Sequence, residues 1–251
     1  MLHARVRYAP GPRRLRPQAA RALRDLGLVA VSVPTDDPAS VLEACRALRF
    51  TGALVHASQQ ASTFEKVTPD SAARRVGRVD AVAFTAGLHG TFAEADALTD
   101  VLHDSGYASR GASAVLLGQH APDLALALPL ARLGFTELGV VAASAPDAER
   151  AARDVPAGVR VYPLSRRDPS VTDLAGRADL IVLTGGDLPH GLVQPYHTVI
   201  DLTGHANVSG TGASSLDLRP LPLRRLARQL AHATGQRFHP QELEGALHAL
   251  D

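Results

Sequence analysis

The feature that most constrains the fold is a regular alternation of short apolar runs and helical segments in the second half of the chain. The predicted strands in this half are residues 114–117, 139–142, 159–162, 180–183 and 198–202. The predicted helices between them are residues 122–133 and 146–153. Because these strands are largely apolar, rich in β-branched residues and separated by helices, the pattern predicts a parallel sheet with helices on both faces.

The first half also alternates strands and helices. The predicted strands are residues 5–8, 29–33, 52–55 and 79–84, and the predicted helices are residues 19–26, 39–48, 68–76 and 92–103. Thr68 is the predicted N-cap of the third helix, with Pro69 at its first position. Residues 87–90 are predicted to form a turn, residues 204–215 a flexible loop, and residues 221–233 and 240–250 amphipathic helices. The whole chain is therefore predicted to be α/β.

The composition excludes several classes of protein. Of 251 residues, 45% are hydrophobic, which is enough for a sizeable core. The net charge is +1 and charges of both signs are interspersed, so we expect no nucleic-acid partner. The sequence has no run of about 20 apolar residues and no signal-like segment, so we expect a cytoplasmic protein without a membrane partner. Cys45, the single cysteine, is predicted to be a small buried residue. The oligomeric state is left open.

The turn after residues 114–117 has the position of a phosphate-binding loop but not its composition. Gly118 follows the strand, and Gln119, His120, Ala121 and Pro122 stand where a dinucleotide-binding fold has further glycines. The backbone is therefore not expected to approach a pyrophosphate closely. The scaffold of a nucleotide-binding unit is predicted here without its chemistry.

Two further classes of site lack support in the sequence. Among eleven histidines there is no His-Glu-x-x-His motif and no Cys/His cluster with ligand spacing, so we expect no metal. Four of the histidines fall in loops near the carboxyl ends of predicted strands and are interpreted as solvated, namely His120, His190, His197 and His205. No Gly-x-Ser-x-Gly motif supports a nucleophilic serine.

Several short landmarks occur in a characteristic order along the chain. They are Phe50-x-Gly52-x-x-Val55, Val67-Thr68-Pro69 with Gly77-x-Val79, Leu88-x-Gly90, Val115-Leu116-Leu117-Gly118, Asp179-Leu180-Ile181, Asp201-Leu202 and Ala233-Thr234-Gly235. Their order and spacing resemble the shikimate dehydrogenase family over nearly the whole chain. Members reduce 3-dehydroshikimate with NADPH in aromatic amino acid biosynthesis. The resemblance implies a two-domain α/β fold with a Rossmann-like parallel sheet in the second domain. The implied domains are residues 1–102 of substrate type, residues 103–218 of nucleotide type, and terminal helices 219–251 packing back on the first domain.

The residues that match the family's substrate-binding positions differ in type. The family's Ser-x-Ser-Pro, which receives the substrate carboxylate, corresponds to Arg14-Leu15-Arg16-Pro17. Arg14 and Arg16 either bind a carboxylate or point to solvent. The family's asparagine corresponds to Asp80 and its late glutamine to Arg225. His56 lies in the segment that matches the family's Asn-Val-Thr-x-Pro-x-Lys.

The catalytic positions also differ. Gln60 matches the family lysine, and it cannot titrate or carry charge. Glu94 matches the family aspartate and either acts as a base or stabilises the start of its helix. Lys66, the only lysine, is expected at the surface.

The cofactor-binding positions retain little of the family pattern. Of the family's Gly-x-Gly-Gly-Ala only Gly118 remains, so the matching residues are Gly118, Gln119, His120 and Ala121. The segment in which the family places an arginine for the 2′-phosphate of NADP reads Ala142, Ala143 and Ser144. Thr184-Gly185-Gly186-Asp187 is predicted to form the loop that contacts the nicotinamide ribose in the family. We therefore expect no cofactor, or NADP if the protein is active.

Three hypotheses follow from these differences. The leading one is a catalytically degenerate protein, a pseudoenzyme, that binds a small anion or a protein partner in the former active-site cleft. The second is an active NADP-dependent shikimate dehydrogenase or related oxidoreductase, with Glu94 as base and Arg14, Arg16 or Arg225 holding an anionic substrate. In the third, the same three arginines pair with Asp80 and Glu94 and fill the cleft.

Overall fold

The computed structural model describes residues 2–7 and 17–247, with side chains from Ala20 onwards. Arg14 and Arg16, predicted to hold a carboxylate, lie outside the described residues. The chain divides into two compact units. The first unit contains the residues up to Asp100 and those from Arg219, and the second unit is Val101–Leu218.

The first unit is built on a mixed six-stranded sheet of order β2-β1-β3-β5-β6-β4. Its strands are β1 Leu2–Arg7, β2 Val29–Pro34, β3 Gly52–Val55, β4 Thr68–Pro69, β5 Ala81–Phe84 and β6 Leu88–Thr91. Its helices in this part of the chain are α1 Pro17–Asp25, α2 Pro38–Ala47, α3 Gln60–Phe64 and α4 Ser71–Val76, and α5 Glu94–Asp104 begins in this unit. Strands β1, β2 and β3 run parallel, and β5 is antiparallel to both β3 and β6.

The second unit contains an entirely parallel six-stranded sheet of order β12-β11-β10-β7-β8-β9. Its strands are β7 Ser113–Leu117, β8 Glu137–Ala142, β9 Arg160–Ser165, β10 Leu180–Leu183, β11 Thr198–Asp201 and β12 Ser214–Ser215. Its helices are α6 Ala127–Arg132, α7 Ala145–Ala152 and α8 Ser170–Ala175, with a 3₁₀ helix over Ala121–Leu124. The predicted parallel sheet is confirmed.

The last two helices, α9 Leu221–Thr234 and α10 Glu244–Leu247, belong to the first unit. Leu226 and Leu230 of α9 pack with Leu23 and Leu28 near α1. Helix α9 ends at Gly235, whose φ of 74° is the left-handed conformation that glycine adopts without strain. Every helix among the described residues is too short or too polar to span a bilayer.

Several predicted elements differ from the structure. Thr68 and Pro69 do not cap a helix, because they pair with His89 and Gly90 as β4, and Asp70 caps α4 instead. Residues 88–91 form β6 rather than a turn. The predicted helix over residues 122–133 is divided, because Pro129 has no N–H to donate and is tolerated only in the first turn of α6. Within the predicted loop 204–215, Ser214 and Ser215 form an edge strand.

Candidate functional site

A pocket of ≈ 520 Å³ in the first unit collects four of the predicted site residues. They are His56 and Gln60, which follow β3, Glu94, which begins α5, and Arg225 of α9. Apolar side chains of β3 and α9, with Phe92, form much of the remaining wall. Ligand pockets in proteins typically combine such a wall with a few polar groups, and their volumes are roughly 300–1,000 Å³.

Arg225 links two carboxylates at the wall of this pocket. Its Nε lies 2.9 Å from Asp80 Oδ2, and its Nη1 lies 2.6 Å from Glu94 Oε2. Asp80 is fully buried, and its second oxygen accepts a hydrogen bond from Ala93 N at 3.0 Å. The guanidinium also lies 5.1 Å from the centre of the Phe92 ring. We call Asp80, Arg225 and Glu94 the ion triad, and its formal charge is −1.

The ion triad does not fill the pocket, because ≈ 520 Å³ remains beside it. The third hypothesis expected arginines that pair with Asp80 and Glu94 and fill the cleft. The structure contains the pairing for Arg225, but the pocket in the first unit is not filled. Glu94 keeps 34% of its side chain exposed and Arg225 26%. Both side chains thus retain surface that a bound molecule can contact.

Gln60 and His56 are held by neighbouring groups. Gln60 is buried, and its side-chain nitrogen donates to Val55 O at 3.4 Å. His56 Nδ1 lies 2.9 Å from the Ser58 hydroxyl. Gln60 thus supports the pocket wall and offers a ligand only a neutral amide.

Arg78 lines the pocket and was not predicted from the sequence. It is exposed, and within the described part of the chain its side chain makes no hydrogen bond or ion pair. Arg78 lies in the connection between α4 and β5, at the variable position of the Gly77-x-Val79 landmark, so no residue pattern singled it out.

In the second unit, the turn after β7 is closed by the protein's own carboxylate. The backbone N–H groups of Gln119 and His120 both donate to Asp123 Oδ2, each at 3.0 Å. These are the amides at the position where a dinucleotide-binding fold presents N–H groups to phosphate. A Cβ atom added to Gly118 would lie 2.9 Å from the Asp123 Cβ, so this glycine makes room for Asp123.

The Gly185-Gly186 segment lies against this turn. A Cβ atom on Gly185 would lie 2.9 Å from Asp123 Oδ2, and one on Gly186 would overlap the Gln119 side chain. Arg166, which follows β9, donates to Gly118 O at 2.9 Å, to Asp187 O at 2.6 Å and to Gly185 O. The turn and the glycine segment are therefore in direct contact.

The segment at the end of β8, residues 142–144, contains no cation. Ala142 is fully buried, and Ala143 N donates to Gln119 O at 3.0 Å. Ser144 caps α7 and its hydroxyl donates to Asp147 Oδ2 at 2.8 Å. This hydrogen bond lowers the pKa of Asp147, so the carboxylate is ionised at neutral pH. Asp147 also pairs with Arg150 of α7 at 3.5 Å, so the start of this helix carries charges of both signs.

These residues do not fit a dinucleotide in the described conformation. The first amides of the turn already have a carboxylate acceptor, and the glycine segment touches that carboxylate. No group of three or more metal-ligating side chains occurs among the described residues.

The prediction that His197 is solvated is wrong, because its side chain is fully buried. Both ring nitrogens have partners there: Nδ1 accepts from Gln194 N at 2.8 Å, and Nε2 lies 3.0 Å from Ala175 O.

Together, the mixed sheet with its terminal helices and the parallel second sheet define a two-domain α/β protein with the shikimate dehydrogenase fold. The predicted fold class and the resemblance to that family are confirmed at the level of the fold. No protein-family model and no curated protein match the sequence.

Solved structures align over nearly the whole chain. Shikimate 5-dehydrogenase from Listeria monocytogenes, in complex with shikimate and NAD, has a TM-score of 0.77 and 16% identity over 98% of this chain and 96% of its own. Quinate dehydrogenase from Corynebacterium glutamicum, in complex with NAD, has a TM-score of 0.76 and 16% identity over 99% of each chain. Shikimate 5-dehydrogenase from Thermus thermophilus, in complex with NADP(H) and shikimate, has a TM-score of 0.73 and 21% identity over 100% of each chain. At these identities the likeness is one of fold.

Proposed function

We propose that this chain is a catalytically degenerate protein of the shikimate dehydrogenase fold that binds a small organic anion in the pocket of its first unit. The observation that carries the proposal is the chemistry of that pocket. Gln60 cannot transfer a proton, and Glu94 is bound to Arg225 at 2.6 Å. A ring-sized pocket is thus retained without a free acid or base among its predicted catalytic residues.

The charges around the pocket favour one orientation of such an anion. The ion triad carries a formal charge of −1, so it repels a carboxylate that approaches Glu94. Arg78 offers a guanidinium without a carboxylate partner in the described part of the chain. We infer that the carboxylate of the ligand lies at Arg78, while its hydroxyl groups face Glu94 and Gln60.

Binding without a dinucleotide is part of the same proposal. It is supported by the bonds from Gln119 and His120 to Asp123, and by the lack of a cation at residues 142–144. Either NAD or NADP would bring phosphates to amides that already have an acceptor.

The experiment is calorimetric titration of the purified protein with shikimate and with quinate, without added dinucleotide. We expect saturable binding by wild type, at least tenfold weaker binding by Arg78→Met, and unchanged binding by Arg24→Met, which removes an exposed arginine of α1. Binding that Arg78→Met leaves intact would contradict the assigned orientation. A titration without heat for either acid would reject the small-anion proposal and favour a protein partner.

The second candidate is an active NADP-dependent oxidoreductase that acts on 3-dehydroshikimate or a related compound. It is favoured by the exposed part of Glu94 at the pocket and by the similarity to enzymes solved with NAD or NADP(H). Its test is NADPH oxidation in the presence of 3-dehydroshikimate. Turnover that Glu94→Gln abolishes would establish this candidate and end the proposal of a degenerate protein.

A further inference from the structure

We propose that Asp123 is an internal replacement for a bound phosphate, and that Arg166 holds the Gly185-Gly186 segment over it. The second unit thus contains a filled anion site rather than an empty one. What the first unit binds has no bearing on this site, because every residue involved lies within Val101–Leu218.

The first step is the geometry of the donors. One oxygen of Asp123 accepts from two consecutive backbone amides, Gln119 N and His120 N, both at 3.0 Å. Two adjacent amides that converge on one oxygen atom can bind an oxyanion, and here they stand at the start of the 3₁₀ helix over Ala121–Leu124, in which Asp123 is the N3 residue of a capping box. Here the oxyanion is covalently part of the same turn, four residues after Gln119.

A second carboxylate, that of Asp147, lies near the turn. Its pKa is lowered first by the hydrogen bond from the Ser144 hydroxyl, and the Ala121 backbone contributes in smaller part. Asp147 also pairs with Arg150 at 3.5 Å. An added phosphate would therefore meet the Asp123 carboxylate at the amides of Gln119 and His120 instead of free donors.

The second step is the cover over the carboxylate. The Gly185-Gly186 segment lies so close to the turn that neither residue has space for a side chain. A Cβ atom on Gly185 would press against Asp123 Oδ2, and a Cβ atom on Gly186 would overlap the Gln119 side chain. In a dinucleotide site, glycines allow the backbone to approach a ligand. Here they allow two parts of the protein to approach each other.

Arg166 connects these two parts. It donates to the carbonyl of Gly118 on one side and to the carbonyls of Gly185 and Asp187 on the other. Burial lowers the pKa of this guanidinium, and the nearby carboxylates of Asp187 and Asp123 oppose that effect. The contact between the turn and the glycine segment is therefore stabilised by two charges of opposite sign. The Asp123 carboxylate binds the amides of the turn, and the Arg166 guanidinium binds carbonyls of both parts.

The test measures thermal unfolding of four variants with and without pyrophosphate. We expect Asp123→Ala and Arg166→Met each to lower Tm by several degrees, since about 1 kcal/mol corresponds to roughly 2–4 °C for a chain of this size. The matched controls Asp154→Ala and Arg167→Met remove exposed side chains of the same unit and should leave Tm unchanged. Pyrophosphate at millimolar concentration should raise the Tm of Asp123→Ala and leave that of wild type unaffected.

A double variant isolates the contact with the glycine segment. Gly185→Ala places a methyl group against Asp123 Oδ2, so it should destabilise wild type more than it destabilises Asp123→Ala. If Asp123→Ala does not fold, Asp123→Asn replaces it, because it keeps the shape and an acceptor while losing the charge. Additive effects of the two substitutions, no rescue by pyrophosphate, or micromolar binding of NADPH to wild type would each overturn the proposal.

Discussion

The buried carboxylate of Asp80 depends on one guanidinium for its charge balance. Replacing Arg225 with methionine leaves Asp80 fully buried with only the Ala93 amide and no cation. We expect the free energy of unfolding to fall by about 3–5 kcal/mol, the usual effect of removing one partner of a buried pair. Urea denaturation measures it.

Two further variants test whether the loss of stability in Arg225→Met comes from the unpaired Asp80 carboxylate. Arg228→Met, three residues further along α9, breaks the pair with the partly exposed Asp100 and should lower stability by less than about 1 kcal/mol. The double variant Asp80→Asn with Arg225→Gln, which removes both charges and keeps a polar side chain at each position, should recover most of the loss. A loss that persists in the double variant would show that packing of Arg225 over Phe92 dominates instead.

His197 makes the stability of the second unit dependent on pH. Burial lowers its pKa below the usual 6.5, and the bond from Gln194 N requires an unprotonated Nδ1. Below pH 6.5, His197 therefore binds a proton in the unfolded state but stays neutral in the folded state until the pH reaches its lowered pKa. Stability should be complete above pH 6.5 and fall by up to about 1.4 kcal/mol per pH unit as the pH decreases towards the folded pKa.

Unfolding free energies at pH 7.5, 6.5 and 5.5 measure this dependence. His197→Gln cannot protonate and should show a shallower slope than wild type, while His190→Gln, at an exposed position in the same unit, should keep the wild-type slope. Equal slopes for all three proteins would mean that other groups control the acid sensitivity.

At the scale of elements, β3 and α9 approach each other closely at Gly52. A Cβ atom there would overlap the carbonyl oxygens of Ala233 and Val82. The atoms in the way belong to the backbone, so they cannot turn aside as a side chain could. Gly52→Ala should therefore lower the free energy of unfolding by about 2–3 kcal/mol, the upper part of the range for overpacking. Gly158→Ala, where nothing lies within 4 Å of the added atom, is the control and should be neutral.

The sequence predicts the elements that a local pattern encodes. Residues 52–55 and 180–183 are predicted as strands with their observed bounds, since each is a short apolar run between breakers. It fails where two local signals compete: Thr68 and Asp70 are both good N-caps, and only pairing with His89 and Gly90 assigns Thr68 to a strand. Helix α8 escapes prediction because it is short and, unlike α4, has no side-chain cap at its start.

At the scale of the whole molecule, the second unit has a core of its own. Val115, Leu117, Ile181 and Leu183 pack with neighbours that all lie within Val101–Leu218. We expect the fragment 101–218 to unfold cooperatively and to keep the pH dependence of His197. Circular dichroism during heating checks this, and a featureless, gradual melt would show that the unit needs the rest of the chain.

The sequence by itself determined the α/β class and the parallel second sheet, because these depend on local periodicity and residue type. Only the tertiary structure decided which groups meet. Arg225 reaches Asp80 across 145 residues, and Arg166 bonds to Gly118 across 48. Charged and polar partners so distant leave no local pattern, since their contact depends on how the strands and helices pack. The tertiary structure thus places the Gly185-Gly186 segment against Asp123 and leaves the pocket of the first unit open.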